Sequence, residues 1–250
     1  MMAPIYLVAG RRIALRTMCL LLIVVFYVLT FRTPVTQLDD AFISYRYALN
    51  LATGHGLVFN PGEYVEGYTN LLWTLLIAGG IKLGGEAEAL GHWLSVIFGA
   101  ATLITSYLYA ARLLHKQAVW LALLAPLGVL TANSFVCWTT GGLETPLFTW
   151  LAVCAALALA WQRRTLTTLF CVLATMTRPE GALLAACLLG YDFLAQIAAP
   201  RPAAPWLRRL AGAAGPLLLF ACGLLLLTLF RVWYYNDIVP NTFYAKVGGI

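Results

Sequence analysis

Apolar residues in this chain come in long blocks, not in the two-residue alternation of strands or the three-to-four-residue stripes of soluble amphipathic helices. The blocks are Ile13–Phe31, Leu90–Leu114, Ala118–Val136, Thr145–Trp161, Leu166–Thr177, Gly181–Ala199 and Leu210–Phe230. A membrane-spanning helix needs roughly 20 predominantly apolar residues, and each block predicts one. A further run, Leu71–Leu83, is shorter, contains Gly79, Gly80 and Lys82, and ends in Gly84-Gly85. Pro179 separates two blocks. Proline disfavours helix just before it and suits a helix start just after, so TRPEG predicts a break between two helices.

The short run decides the sidedness of everything after it. If it lies along the membrane surface without crossing, Arg11, Arg12, Arg16, Arg112, Lys116, Arg163, Arg164, Arg201, Arg208 and Arg209 share one side. Nine of the 10 acidic residues then share the other, and only Asp192 falls outside that set. Cytoplasmic loops are enriched in Lys and Arg. This threading therefore predicts a cytoplasmic N-terminus, about seven spans, each needing roughly 20 apolar residues, and a long outer loop over residues 32–89. The first block follows Arg11, Arg12 and Arg16 and precedes no small-residue cleavage site, so it reads as an uncleaved first span. RPAAPW, from Arg201, reads as a stiff linker.

Composition agrees. Hydrophobic residues are 62% of the 250 and charged residues 10%, against roughly 25% charged in soluble domains. The net charge of +6 is spread over short basic clusters between blocks, a topology signal and not a nucleic-acid footprint. The six cysteines form no CxxC pair and read as small core residues. The three histidines lack metal-ligand spacing.

Against so few acids, the pair Asp39-Asp40 at the end of the first block stands out. Two adjoining carboxylates at the hydrocarbon edge repel each other and lose solvation, a setting suited to acid–base work. Asp40–Ala52 has helical character. Asp39, Arg46 and Asn50 are predicted on one face, and Phe42 and Leu49 on another, as in a helix lying on an interface. Glu63, Glu66, Tyr68 and Asn70 follow in a stretch punctuated by Gly54, Gly56, Pro61 and Gly62. Three later pieces bring further polar groups to the same side: WTTGGLETP with Glu144, TRPEG with Arg178 and Glu180, and a last stretch with Arg231, Asn236, Asp237, Asn241, Tyr244 and Lys246. Each has a plain structural alternative. Glu63, Glu86 and Glu88 read as solvated loop acids, Arg178 and Glu180 as a local ion pair, and Trp233, Tyr234 and Tyr235 as interfacial belt residues. Asp192 reads as a helix-packing polar group.

DDAFISYRYALNLATGHGLVFNPGEYVEGYTNLLW resembles the first outer loop of bacterial GT-C-type membrane glycosyltransferases, in particular the polyprenyl-phosphate-sugar-dependent arabinofuranosyltransferase-like branch. GGLETPLF, TRPEGALL and NDIVPNTFYAKV resemble that branch too, in the same order. The resemblance implies an all-α polytopic bundle of about seven spans with juxtamembrane helices in the first outer loop. Residues 1–250 would form one such module, with the family's later region absent. It implies catalytic Asp39 and Asp40, a second acidic position at Glu144, and transfer of a sugar from a polyprenyl-phosphate donor to a cell-envelope glycan, lipid or protein on the outer side of a bacterial cytoplasmic membrane.

In such a reaction the leaving group is already a stabilised phosphate. The chemistry asks for a base near the acceptor hydroxyl and cations near the phosphate. Asp39 or Asp40 is the candidate base. Arg178, Arg46 and Lys246 are the candidate phosphate ligands, and Glu66, Tyr68, Asn70, Glu180, Asn241 and Tyr244 are supporting polar groups. A divalent cation on Asp39, Asp40 and Glu144 is left open. The alternative readings are a transporter or lipid-handling protein, which would place charges near the bilayer midplane, and an inactive fragment.

Overall fold

The computed structural model describes residues 17–18, 21–30, 32, 38–114, 116–199 and 206–247. The basic residues Arg11, Arg12, Arg16 and Arg201 lie outside them, as do the side chains of Lys116, Arg208, Arg209 and Lys246. The described residues are helical, without strands. In order they form α1 (Leu21–Thr30), α2 (Asp39–Ala52), α3 (Leu71–Lys82), α4 (Ala87–Leu113), a 3₁₀ segment (Lys116–Leu123), α5 (Leu124–Thr131), α6 (Asn133–Thr140), α7 (Thr145–Ala160), α8 (Arg164–Thr177), α9 (Gly181–Ala198), α10 (Trp206–Tyr235) and α11 (Asn241–Val247).

This is a membrane protein. Ala87–Leu113, Gly181–Ala198 and Leu210–Tyr235 are each long and apolar enough to cross a bilayer, and a bent pair, Trp120–Thr131 with Asn133–Thr140, makes up to four candidate spans. The pair covers the span expected over Ala118–Val136 and shows it broken. It bends by 62°, and Ala132 between its halves is extended. Asn133 and Ser134 follow the bend, and such residues favour helix starts over interiors.

Residues at helix ends fix which ends lie together. Ser95 near the start of α4 donates to the Leu143 carbonyl just before α7. Arg112 at the far end of α4 donates to the Ala160 carbonyl at the end of α7. The α4 and α7 helices therefore run side by side from one end of the bundle to the other, and α8 returns. The short α3 does not follow them. Leu90 near the start of α4 packs against Gly80 and Gly85, so α3 leaves and rejoins the bundle at the end where α2 lies. A core of Tyr45, Trp73, Ile77, Leu147, Leu151 and Ala174 binds α2 and α3 to α7 and α8. Phe42 and Leu49 on α2 are each 45% exposed.

The far end has its own clamp. Arg164 donates through Nε to Asp192 at 2.6 Å and through Nη1 to the Gly212 carbonyl. Pro216 lies inside α10 and has no N–H to give to the carbonyl four residues back, which is that of Gly212. Arg164 supplies the missing donor. Asp192 is thus a paired packing group. Arg164→Ala strands a buried carboxylate, a change that costs about 3–5 kcal/mol. The expected result is a clearly lower midpoint in detergent thermal unfolding, more than Asp192→Asn produces.

Candidate functional site

At the α2 end a cavity of about 470 Å³ is lined by Asp40 and Ser44 of α2, Asn70, Glu144 and Arg178, with Tyr68, Trp138 and Thr242 at its walls. The residues come from five separated stretches. Asn70, just before α3, is buried and acts as the connector. Its Oδ1 accepts from Thr74 at 3.2 Å and from Ser44 at 3.1 Å, and its Nδ2 donates to Glu144 at 2.9 Å. Glu144 is 8% exposed. Arg178 lies 3.6 Å from Glu144 and 3.7 Å from Glu180, and its Nη1 donates to Thr145. The cavity therefore holds a buried carboxylate fixed by an amide and a guanidinium, facing an exposed carboxylate, Asp40, that has no partner among the described residues.

Local sequence explains these placements. Glu144 follows Gly141-Gly142. Gly142 has φ +73°, and a Cβ there would meet the Tyr45 hydroxyl at 2.2 Å. That hydroxyl also donates to the Gly142 carbonyl. The turn thus presses on α2 and delivers Glu144 to the start of α7. Burial, with Glu88 adding to it, pushes the Tyr45 phenol up to about 12, so it stays a neutral donor. Gly142→Ala strains both backbone and contact, at about 1–3 kcal/mol. The expected result is reduced activity with a modest fall in thermal midpoint. At Arg178 the break falls where TRPEG predicts it: α8 ends at Thr177 and α9 begins at Gly181. A Cβ on Gly181 would lie 2.4 Å from the Thr175 backbone nitrogen, which is why this turn carries glycine.

Asp39 and Asp40 part company. Neighbouring helix residues point about 100° apart, and Asp39 lines a second cavity of about 550 Å³ with Phe42, Arg46, Leu49, Phe59 and Glu88. Ile43 lines both cavities and divides them. The polar and apolar faces expected on α2 are merged, because Asp39, Phe42, Arg46 and Leu49 repeat at three- and four-residue steps. Asn50 is buried instead, donating to the Val58 and Phe59 carbonyls. Arg46 donates through Nε to the Phe59 carbonyl and lies 5.6 Å from that ring's centre. It belongs to the Asp39 cavity, away from Glu144. Among the described residues no three His, Cys, Asp or Glu groups come close enough to hold a metal, so Asp39, Asp40 and Glu144 do not converge as a ligand set.

The remaining candidates lie on the stretch before α3 and on α11. Glu66 is buried and lies 2.9 Å from Arg231 near the end of α10. Burial pushes its carboxyl above the usual carboxylate range, and Arg231 opposes that rise. Asn241 at the start of α11 donates its backbone N–H to the Glu66 carbonyl. The Tyr68 hydroxyl meets that of Tyr235 at 3.0 Å, and burial, reinforced by Tyr235, pushes the Tyr68 phenol far above its usual range. Tyr68 is thus a wall and not an acid. Tyr244 donates to Asp237. Lys246 is on α11, but its side chain is outside those described.

A third cavity, about 390 Å³ and mainly apolar, lies between the α8–α9 break at the start of α9 and the end of α10, past Pro179, Ala182, Leu224, Leu227 and Phe243, with Arg231 on its wall. Thr69 and Thr242 line both it and the Asp40 cavity. Arg231, named in the sequence among the polar groups of the last stretch but not among the phosphate ligands, is set apart by its partner, Glu66, 165 positions away.

Among known proteins, the chain is similar to the terminal β-(1→2)-arabinofuranosyltransferase of Mycobacterium tuberculosis, at 32% identity over 231 residues, 83% of this chain and 34% of that relative. It is similar to the enzyme of the same name from Corynebacterium glutamicum at 29% identity, over 83% of the chain and 32% of the relative. The chain spans about a third of the length of these curated relatives. No known family signature and no solved structure matches it.

Proposed function

We propose that this chain, a homologue of the arabinofuranosyltransferases and so of their GT-C-like branch, carries the reaction centre of a membrane glycosyltransferase. The donor is a sugar on a polyprenyl phosphate, and the acceptor is a hydroxyl of a cell-envelope glycan, lipid or protein. The observation that carries the reading is the cavity in which Asp40, Glu144 and Arg178, from three distant stretches, come together at one end of the bundle. That end lies away from the basic pair Arg112 and Arg164, so the positive-inside rule assigns it to the outer face of the cytoplasmic membrane. The spans then number about seven, counting shorter apolar helices packed in the bundle with the roughly 20-residue ones.

The chemistry divides simply. The bond between the sugar's anomeric carbon and the phosphate oxygen breaks, and its electron pair stays on the phosphate. The acceptor oxygen bonds to that carbon and its proton passes to a carboxylate. Asp40 is the base: it lines the cavity, is open to solvent and is unpaired among the described residues. Glu144 is already engaged by Asn70 and Arg178 and serves as a positioning residue that holds Arg178. Arg178 stabilises charge growing on the phosphate. Asp39 sits on the neighbouring side of the Ile43 divide, where an acceptor can enter.

The test uses membranes containing the complete protein, supplied with radiolabelled polyprenyl-phosphate pentose. Labelled acceptor is the expected result. No transfer from any polyprenyl-phosphate sugar, with a well-inserted protein, overturns the reading. Within that assay, Asp39→Asn is expected to raise the acceptor KM severalfold and leave donor KM unchanged.

A further inference from the structure

We propose that Arg231 is the seat of an anionic head group, and that the groove between the start of α9 and the end of α10 holds the apolar tail of the same molecule. This names a subsite of the site above and rests on that reading for the identity of the amphiphile as the sugar donor. Arg231 was not among the expected phosphate ligands.

Three observations converge. First, Pro179, Ala182, Leu224, Leu227 and Phe243 give the groove an apolar lining, shared with four threonines and a single charged residue, Arg231. A long apolar chain fits such walls, and a lone cation at their polar end asks for one negative charge. Second, the groove meets the Asp40 cavity at Thr69 and Thr242. Pro179 lines the groove while its neighbour Arg178 lines the cavity, so the passage is flanked by two cations. A molecule with its tail in the groove places its head at that passage, with whatever the head carries beside Asp40.

Third, Arg231 is held in a way that leaves it usable. Glu66 takes its Nε, at 3.1 Å to Oε1 and 2.9 Å to Oε2. Neither Nη makes a hydrogen bond among the described residues. A guanidinium offers its donors as a planar fork suited to phosphate oxygens, and here one edge is held and the other is open. The carboxylate also solves a stability problem. A cation 18% exposed at its side chain, with apolar walls about it, is costly alone. Glu66 is its counter-ion when no anion is bound. It therefore competes weakly with the anion, and its own loop is held in place through Asn241.

The experiment measures binding, independent of turnover. The complete protein in nanodiscs is titrated with farnesyl phosphate, with farnesol and with inorganic phosphate. Farnesyl phosphate is expected to bind at least tenfold more tightly than either part. Glu66→Gln keeps the cation, removes its competitor, and is expected to bind farnesyl phosphate as tightly as the wild type or up to tenfold more tightly. Arg231→Gln leaves Glu66 buried and unpaired and can unfold the outer loop. The Glu66→Gln, Arg231→Gln double variant removes both charges together. It is expected to lose at least tenfold in farnesyl phosphate affinity with farnesol binding unchanged. Ala182→Trp, which narrows the groove, is expected to weaken both farnesyl compounds. Undiminished farnesyl phosphate binding in the double variant, or equal binding of inorganic phosphate, overturns the proposal. Binding that follows these expectations in a protein showing no sugar transfer upholds the subsite and defeats the transferase reading. Transfer with an unchanged donor KM in the double variant does the reverse.

Discussion

Asp40→Asn in the complete protein is expected to lower sugar transfer by about 10²–10⁴-fold, the usual contribution of a positioned general base. The substitution keeps size and shape and removes the ability to accept the acceptor's proton. Little else should change. Asp40 is exposed, and its side chain makes no hydrogen bond or ion pair among the described residues. Its one structural role is shared with Asp39: both stand in the first turn of α2, where a negative charge is worth about 0.3–1 kcal/mol against the helix dipole. Asp39→Asn carries the same dipole cost. A matched pair of variants therefore separates chemistry from helix stability. Expression, insertion and thermal midpoint should agree between them, and transfer should collapse only in Asp40→Asn. Equal losses in the two variants would show that the acids act on α2 and not on the acceptor.

Arg178→Gln has the second largest expected effect, a loss of about 10²–10³-fold in transfer, comparable to removing one donor from a preorganised anion-stabilising site. Two causes add. The phosphate loses a cation where its charge grows, and Glu144, 8% exposed, loses the partner that offsets its burial. Glu144→Gln distinguishes them. It keeps the hydrogen-bonding shape and removes the charge that holds Arg178. It should reduce transfer less than Arg178→Gln, and adding it to Arg178→Gln should cost little more, because residues of one network are not additive. The measurement is transfer rate against donor concentration for the two single variants and the double. Arg178→Lys keeps the charge without the fork and should restore part of the rate. Full transfer in Arg178→Gln would remove the cavity's cation from the mechanism.

Much of the scaffold is legible in the sequence. The apolar blocks located α4 within a few residues at its start and one at its end, and α9 within one residue. They did so because a helix in lipid must satisfy its own backbone and cover itself with apolar side chains, which writes its length into composition. The helix break at Pro179 and the helix after Asp39 were legible for equally local reasons. The bend at Ala132 was not, since an apolar block reads the same straight or bent.

The candidate site was legible as a set of residues and not as an arrangement. Sequence named Asp40, Glu144 and Arg178 because few charges are tolerated in such a chain, and Asn70 as a polar group of the outer loop. It could not tell Asp39 from Asp40, since adjacent residues differ only in direction around a helix whose neighbours are unknown. It gave Arg46 to the phosphate by charge alone, whereas the fold turns Arg46 to the Phe59 carbonyl on the Asp39 side. The same packing places Arg231 against Glu66 across most of the chain's length.

What the sequence by itself determined was that the chain lives in a membrane, because hydropathy is a local quantity summed along the chain. What only the tertiary structure decided was which acid shares a cavity with which cation. That depends on the rotation of each helix about its axis, set by contacts such as Tyr45 on Gly142 and Leu90 on Gly80, between residues that the chain itself never places side by side.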